Sequence, residues 1–154
     1  LLRAEALTQM QQYKEAREDV DAILAQEPDE ESALLLRGRI AEAAQDFDKA
    51  EADYRRITEV NPFSEQAYLC LGRLFTNQKK LSEAIALLDE AIELNPGSPA
   101  LYHERGRAKL LNGDKEGSME DLKKELELNP KETEQLNGEF NNQPLVQQTD
   151  VLGL

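Results

Sequence analysis

The sequence predicts an all-α fold, an α-solenoid of about three and a half to four antiparallel helical hairpins. Three observations carry that expectation. Pro28, Pro62, Pro96 and Pro130 stand 34 residues apart, the last three closing the phrases EVNP, ELNP and ELNP. Between successive prolines, two stretches place apolar residues at three- and four-residue spacing, the period of an amphipathic helix. Small residues also recur in register, Ala4, Gly38, Gly72 and Gly106 in one column and Ala16, Ala50, Ala84 and Ser118 in another. Self-similarity at such a period marks units that bury their apolar faces only by stacking on one another.

The units run roughly over 1–30, 31–64, 65–98 and 99–132, the first truncated at its start, with a non-repeat tail over 133–154. Unit one keeps helices near 1–10 and 13–26, and unit two has them near 30–44 and 47–60. In unit three, 64–78 carries Ala67, Leu71, Leu74 and Phe75 at helical spacing, with Ser64 as its cap. Its second helix, 81–94, puts Ala84, Leu87, Leu88 and Ala91 on one stripe and stops at Asn95-Pro96, because a residue before proline is pushed out of the helical region. Unit four repeats the pattern near 98–112 and 115–128. Loops this short force consecutive helices antiparallel.

The packing signature is Gly38, Gly72 and Gly106 on first helices, Ala50 and Ala84 on second helices, and Pro62, Pro96 and Pro130 closing their units. A glycine inside a helix costs roughly 0.5–1 kcal/mol. Its return at a fixed position points to a close helix crossing. Large residues form matching columns, Leu34, Tyr68 and Tyr102 on first helices and Val20, Tyr54, Leu88 and Leu122 on second helices.

Net charge is −13, which argues against a nucleic-acid binder, whose affinity rests on neutralising phosphates, and against direct contact with an anionic membrane. No run of 18 apolar residues occurs. Cys70 is the single cysteine, so the chain has no disulfide framework of its own; a reducing compartment, the cytoplasm, is favoured. The chain opens LLRAEAL without Met, inside a repeat. The expectation is therefore a fragment, with room for a signal or anchor upstream. Neither metal-ligand spacing, a phosphate-cradling glycine loop nor a nucleophile elbow occurs. We therefore expect no enzyme and no cofactor, and place His103 in a groove wall.

These residues resemble the tetratricopeptide repeat family over about 1–132. Unit three matches best through Tyr68, Leu71, Gly72, Phe75, Ala84, Leu88, Ala91 and Pro96; unit two offers Leu34, Gly38, Ala41, Ala50, Tyr54, Ile57 and Pro62; unit four offers Tyr102, Gly106, Leu122 and Pro130. Unit four departs most, with Ser118 for alanine, Lys109 for an aromatic and Glu125 for a small residue; Ile57 is a further departure, in unit two. The resemblance implies a protein–protein interaction scaffold that binds a peptide or helix in a concave groove lined by first helices.

The exposed inner positions of those helices are Leu35, Arg39 and Glu42; Leu69, Arg73 and Thr76; and His103, Arg107 and Leu110, with Cys70 and Glu104 alongside. Arg39, Arg73 and Arg107 are again 34 apart, while Glu5 holds the same place in unit one. Guanidinium groups bind carboxylates through paired hydrogen bonds, so the expected partner is an acidic segment gripped by Leu35 and Leu69. The competing expectation is that these arginines pair with the chain's own Glu42 or Glu104. The Lys and Asn residues of the family's clamp for a terminal carboxylate are absent at the matching positions. The alternative function is a structural or self-assembling module, using an exposed solenoid end or forming a homodimer through the tail. The tail itself reads three ways: as a linker, as a partial cap on unit four, or as a segment lying in a groove through Phe140, Leu145, Val146, Val151, Leu152 and Leu154.

Overall fold

The computed structural model describes residues 1–129. Among them are eight α-helices and no strand: α1 (Leu2–Gln9), α2 (Tyr13–Gln26), α3 (Glu31–Ala43), α4 (Phe47–Val60), α5 (Glu65–Asn77), α6 (Leu81–Leu94), α7 (Pro99–Leu111) and α8 (Lys115–Leu128). Each expected helix is present, with ends shifted by no more than one residue. Pro130 and the tail over 133–154 lie outside the described residues. The described chain divides inside α5 into two compact units, one over Leu1–Leu74 and one that begins at Phe75.

The turn within each hairpin is built the same way. One residue takes a left-handed backbone: Gln11 (φ 60°), Gln45 (61°), Lys79 (63°) and Gly113 (90°). These positions are also 34 apart. The next amide reaches back over the turn, from Gln12 to the Leu7 carbonyl and from Asp46 to that of Ala41 (both 2.8 Å), and from Lys80 to Phe75 and Asp114 to Lys109 (both 2.9 Å). That bond satisfies a carbonyl the helix end would leave open. The following helix is then capped where an aspartate is present, Asp46 accepting from the Lys49 amide and Asp114 from that of Gly117.

In the unit over Leu1–Leu74, the core is Ala4, Ala16, Val20, Leu24, Ala33, Leu34, Leu36, Ile40, Ile57 and Ala67. Tyr54 is fully buried and lies flat against Gly38. A Cβ at Gly38 would clash with the ring at Cε1 and come within 2.8 Å of Cδ1. The ring is pinned because its hydroxyl donates to Glu42 Oε1 at 2.5 Å. Ser64 caps α5 as its position predicts, accepting from the Ala67 amide while donating to Glu31 Oε1 at 2.6 Å. Pro62 and Pro96 are exposed. They end helices rather than pack, which corrects their inclusion in the packing signature: the ring prevents helix continuation and needs no neighbour to do so.

In the unit that begins at Phe75, Ala84, Leu88, Ala91, Leu101 and Ala108 form the apolar core. The α7–α8 seam is polar. Ser118, Asp121, Glu104 and Glu125 are buried there. Each departure from the apolar pattern meets a polar partner or a tight contact. Lys109 Nζ lies 3.3 Å from Asp121, and Glu125 pairs with His103 Nδ1 at 3.1 Å. Ser118 sits beneath Gly106, where a Cβ would meet its carbonyl at 3.4 Å and the Asp121 Cβ at 3.2 Å.

Candidate functional site

The first-helix positions singled out by the sequence do not behave as one row. On α3, residues 35, 39 and 42 follow each other at helical spacing and share a face. Leu35 is half-buried and Arg39 exposed. Glu42 accepts the Tyr54 hydroxyl, so it is occupied in holding the core rather than Arg39. Burial first, and then this carboxylate, push the Tyr54 phenol well above its ordinary value. On α5, Leu69 is half-buried and Arg73 exposed, but Thr76 is fully buried. Its expected place on an exposed groove face is therefore corrected: the last turn of α5, with Phe75 and Thr76 both enclosed, turns inward.

Cys70 is buried. Burial pushes its thiol up, while the positive charge of the Arg39 guanidinium and more weakly that of Arg73 draw it back; Glu42 adds to the rise. Both arginines therefore act on one buried sulfur within one unit. Arg39 also borders an open cleft of about 290 Å³, lined by Glu5, Thr8 and Gln9 from α1 and by Ser32, Leu35, Leu36 and Arg39 from α3. Leu35 and Leu36 give it an apolar floor. Among the described residues Arg39 makes no ion pair with a carboxylate.

Arg107 differs. It lies 3.6 Å from the buried Glu104 and donates to Asn77 Oδ1 at 3.1 Å. For this residue the expectation of an internal pair is what the structure has. His103 is held by Glu125, and the two border a notch of only about 10 Å³ with Tyr102, Gly106, Arg107, Ser118 and Leu122. Leu110 is half-buried.

A different arginine column, at 37 and 105, lies outside the positions the sequence reading singled out. Arg37 forks onto Asp53 (Nε 3.0 Å, Nη2 2.8 Å) and reaches back to Asp21 (3.0 Å). Arg105 repeats this on Asp121 (2.9 and 2.6 Å) and Asp89 (3.0 Å). Arg3 pairs with Asp19 in the same register at 3.1 Å. The signal was available: each arginine has an aspartate 16 residues on, and Arg37 and Arg105 have one 16 residues back as well. Each of these two guanidinium groups thus staples its own second helix to the preceding one. Their acidic partners raise both arginines' already high pKa values.

A second open surface lies on α8, where Met119, Leu122 and Leu126, with the stems of Glu120 and Lys123, border about 410 Å³. Among the described residues no group of His, Cys, Asp and Glu could hold a metal ion. None of their helices is long and apolar enough to cross a membrane.

The 34-residue hairpins, the glycine column and the capped turns define a helical repeat protein. The tetratricopeptide repeat family model matches residues 1–59, 39–99 and 71–133; the chain belongs to the tetratricopeptide repeat family, and its fold is the family's α-solenoid. No curated protein matches it. Among solved structures it is similar to MamA from Desulfovibrio magneticus RS-1, with 20% identity and a TM-score of 0.70 over 83% of this chain and 72% of that one. A thermophilic repeat protein of the same family from Thermus thermophilus gives 20% identity and 0.70, covering 84% and 73%. YrrB, described as having an unusual peptide-binding site, gives 19% and 0.69, covering 88% and 70%. The family's general role is that of a scaffold for protein–protein interaction.

Proposed function

We propose that this chain is a non-enzymatic scaffold that captures an extended, carboxylate-bearing peptide at the α1–α3 cleft. The observation that carries this reading is Arg39: exposed, at the rim of a cleft with a leucine floor, and engaged by no carboxylate among the described residues. A guanidinium on such a rim offers two parallel N–H donors to a carboxylate, while Leu35 and Leu36 accept an apolar side chain of the same segment. That a structurally similar protein carries a peptide-binding site is in keeping with this use of the fold.

The test is fluorescence anisotropy with a labelled GALAEG peptide against its GALAQG counterpart. The carboxylate peptide should bind more tightly, and its advantage should shrink from low salt to 1 M salt, where screening acts over about 3 Å rather than about 10 Å at 0.1 M. Equal binding of the two peptides, or an advantage untouched by salt, contradicts the role of Arg39.

The exposed Met119 on the apolar stretch of α8 supports a second reading, self-assembly through that helix. It predicts a dimeric light-scattering mass that falls to the monomer when Met119 is replaced by Lys; a monomer at all concentrations removes it.

A further inference from the structure

The α1–α3 cleft carries two charges of opposite sign. Glu5 stands on α1 at the repeat position that Arg39 holds on α3, and both line the same opening. Glu5 is exposed, and among the described residues it forms no ion pair, with Arg39 or with any other cation. Comparable charges on first helices are already engaged: Arg107 by Glu104 and Asn77, and Glu42, three residues on from Arg39, by Tyr54. The remaining wall groups, Thr8, Gln9 and Ser32, are neutral. Thr8 is turned onto its own helix, donating to the Ala4 carbonyl at 2.7 Å. That leaves the Gln9 amide and the Ser32 hydroxyl to meet a peptide backbone. A cleft with an apolar floor, two neutral polar walls and one charge of each sign is complementary to a zwitterionic segment, and a purely acidic one would set a carboxylate against Glu5.

We infer that the partner segment is charge-polarised: an extended peptide with a Lys or Arg for Glu5 and an Asp or Glu for Arg39. This deepens the reading of the cleft as a carboxylate-peptide site and rests on it. The spacing follows from the general separation of packed helices. Packed helix axes lie roughly 8–10 Å apart, and an extended chain advances about 3.3 Å per residue. The two charges on the peptide therefore stand about three residues apart, with an apolar residue between them for Leu35 and Leu36. Complementary potentials of this kind set partner choice more than raw affinity.

Three labelled peptides decide the matter against the whole chain: GKLAEG, GALAEG and GELAEG. The expected order of affinity is GKLAEG, then GALAEG, then GELAEG. One exposed pair contributes up to about 1 kcal/mol, so replacing an attraction at Glu5 by a repulsion should separate the first and last by about fivefold or more. Glu5→Lys, with helical content checked by circular dichroism, should reverse the order. If GALAEG binds better than GALAQG yet the three peptides bind alike, or if Glu5→Lys leaves their order unchanged, the polarity is wrong while the carboxylate site stands. If none of them binds, both readings fall together.

Discussion

Gly38 shows why a residue that weakens an isolated helix is kept in this one. The Tyr54 ring occupies the space a Cβ would need, and the bond from its hydroxyl to Glu42 prevents it from swinging away. Gly38→Ala should therefore destabilise the protein by about 1–3 kcal/mol, the usual cost of overpacking a filled core, measured by urea unfolding. Gly38→Ala combined with Tyr54→Leu should recover part of that loss, since leucine holds the Tyr54 position at 88 and 122. A Gly38→Ala protein as stable as the parent contradicts the steric account. The need for a small residue was legible in its 34-residue recurrence. The neighbour behind each glycine was less so: at Gly106 it is the Asp121 Cβ and the Ser118 carbonyl. The left-handed residues of the hairpin turns were legible only at Asn112-Gly113, because Gln11, Gln45 and Lys79 are not residue types that favour such a backbone.

At the scale of helix pairs, the seams between second helices are stapled by Arg37 and Arg105. The Asp121 carboxylate is almost wholly enclosed and receives both prongs of Arg105, with Lys109 nearby. Removing one member of a buried pair leaves an uncompensated charge, which costs about 3–5 kcal/mol when no other partner remains. Lys109 reduces this here, so Arg105→Leu should cost about 2–3 kcal/mol in urea unfolding. Arg105→Leu with Asp121→Leu should be the more stable of the two, because the stranded charge is gone. A double variant less stable than Arg105→Leu would show that the pair contributes attraction well beyond its desolvation. Helix positions and types were legible throughout, since proline, glycine and apolar spacing all agree in each unit. The staple was legible only in the 16-residue Arg–Asp spacing, because its column is interrupted: Leu71 stands between Arg37 and Arg105, while the column after the glycine runs unbroken through Arg39, Arg73 and Arg107. Unit four looked weak for a related reason: Lys109, Ser118 and Glu125 break the apolar pattern, and only the facing helix reveals Asp121, the Gly106 approach and His103 as their counterparts.

For the whole molecule, period and fold class followed from the sequence because each repeat states the same pattern again. The site followed only in part. A column of three arginines looked uniform, yet side-chain surroundings separate Arg39, at an open cleft, from Arg107, bound to Glu104 and Asn77. Equivalent backbone positions thus carry different chemistry, and their neighbours are set by packing rather than by spacing. The central claim, that Arg39 and not the arginine column as a whole receives the partner's carboxylate, is tested most directly by titrating GALAEG into the parent chain, Arg39→Glu and Arg107→Glu. The account predicts a loss of about tenfold or more for Arg39→Glu, as attraction becomes repulsion, and a change under about threefold for Arg107→Glu, with helical content preserved. Equal losses in the two variants, or none in Arg39→Glu, would contradict it.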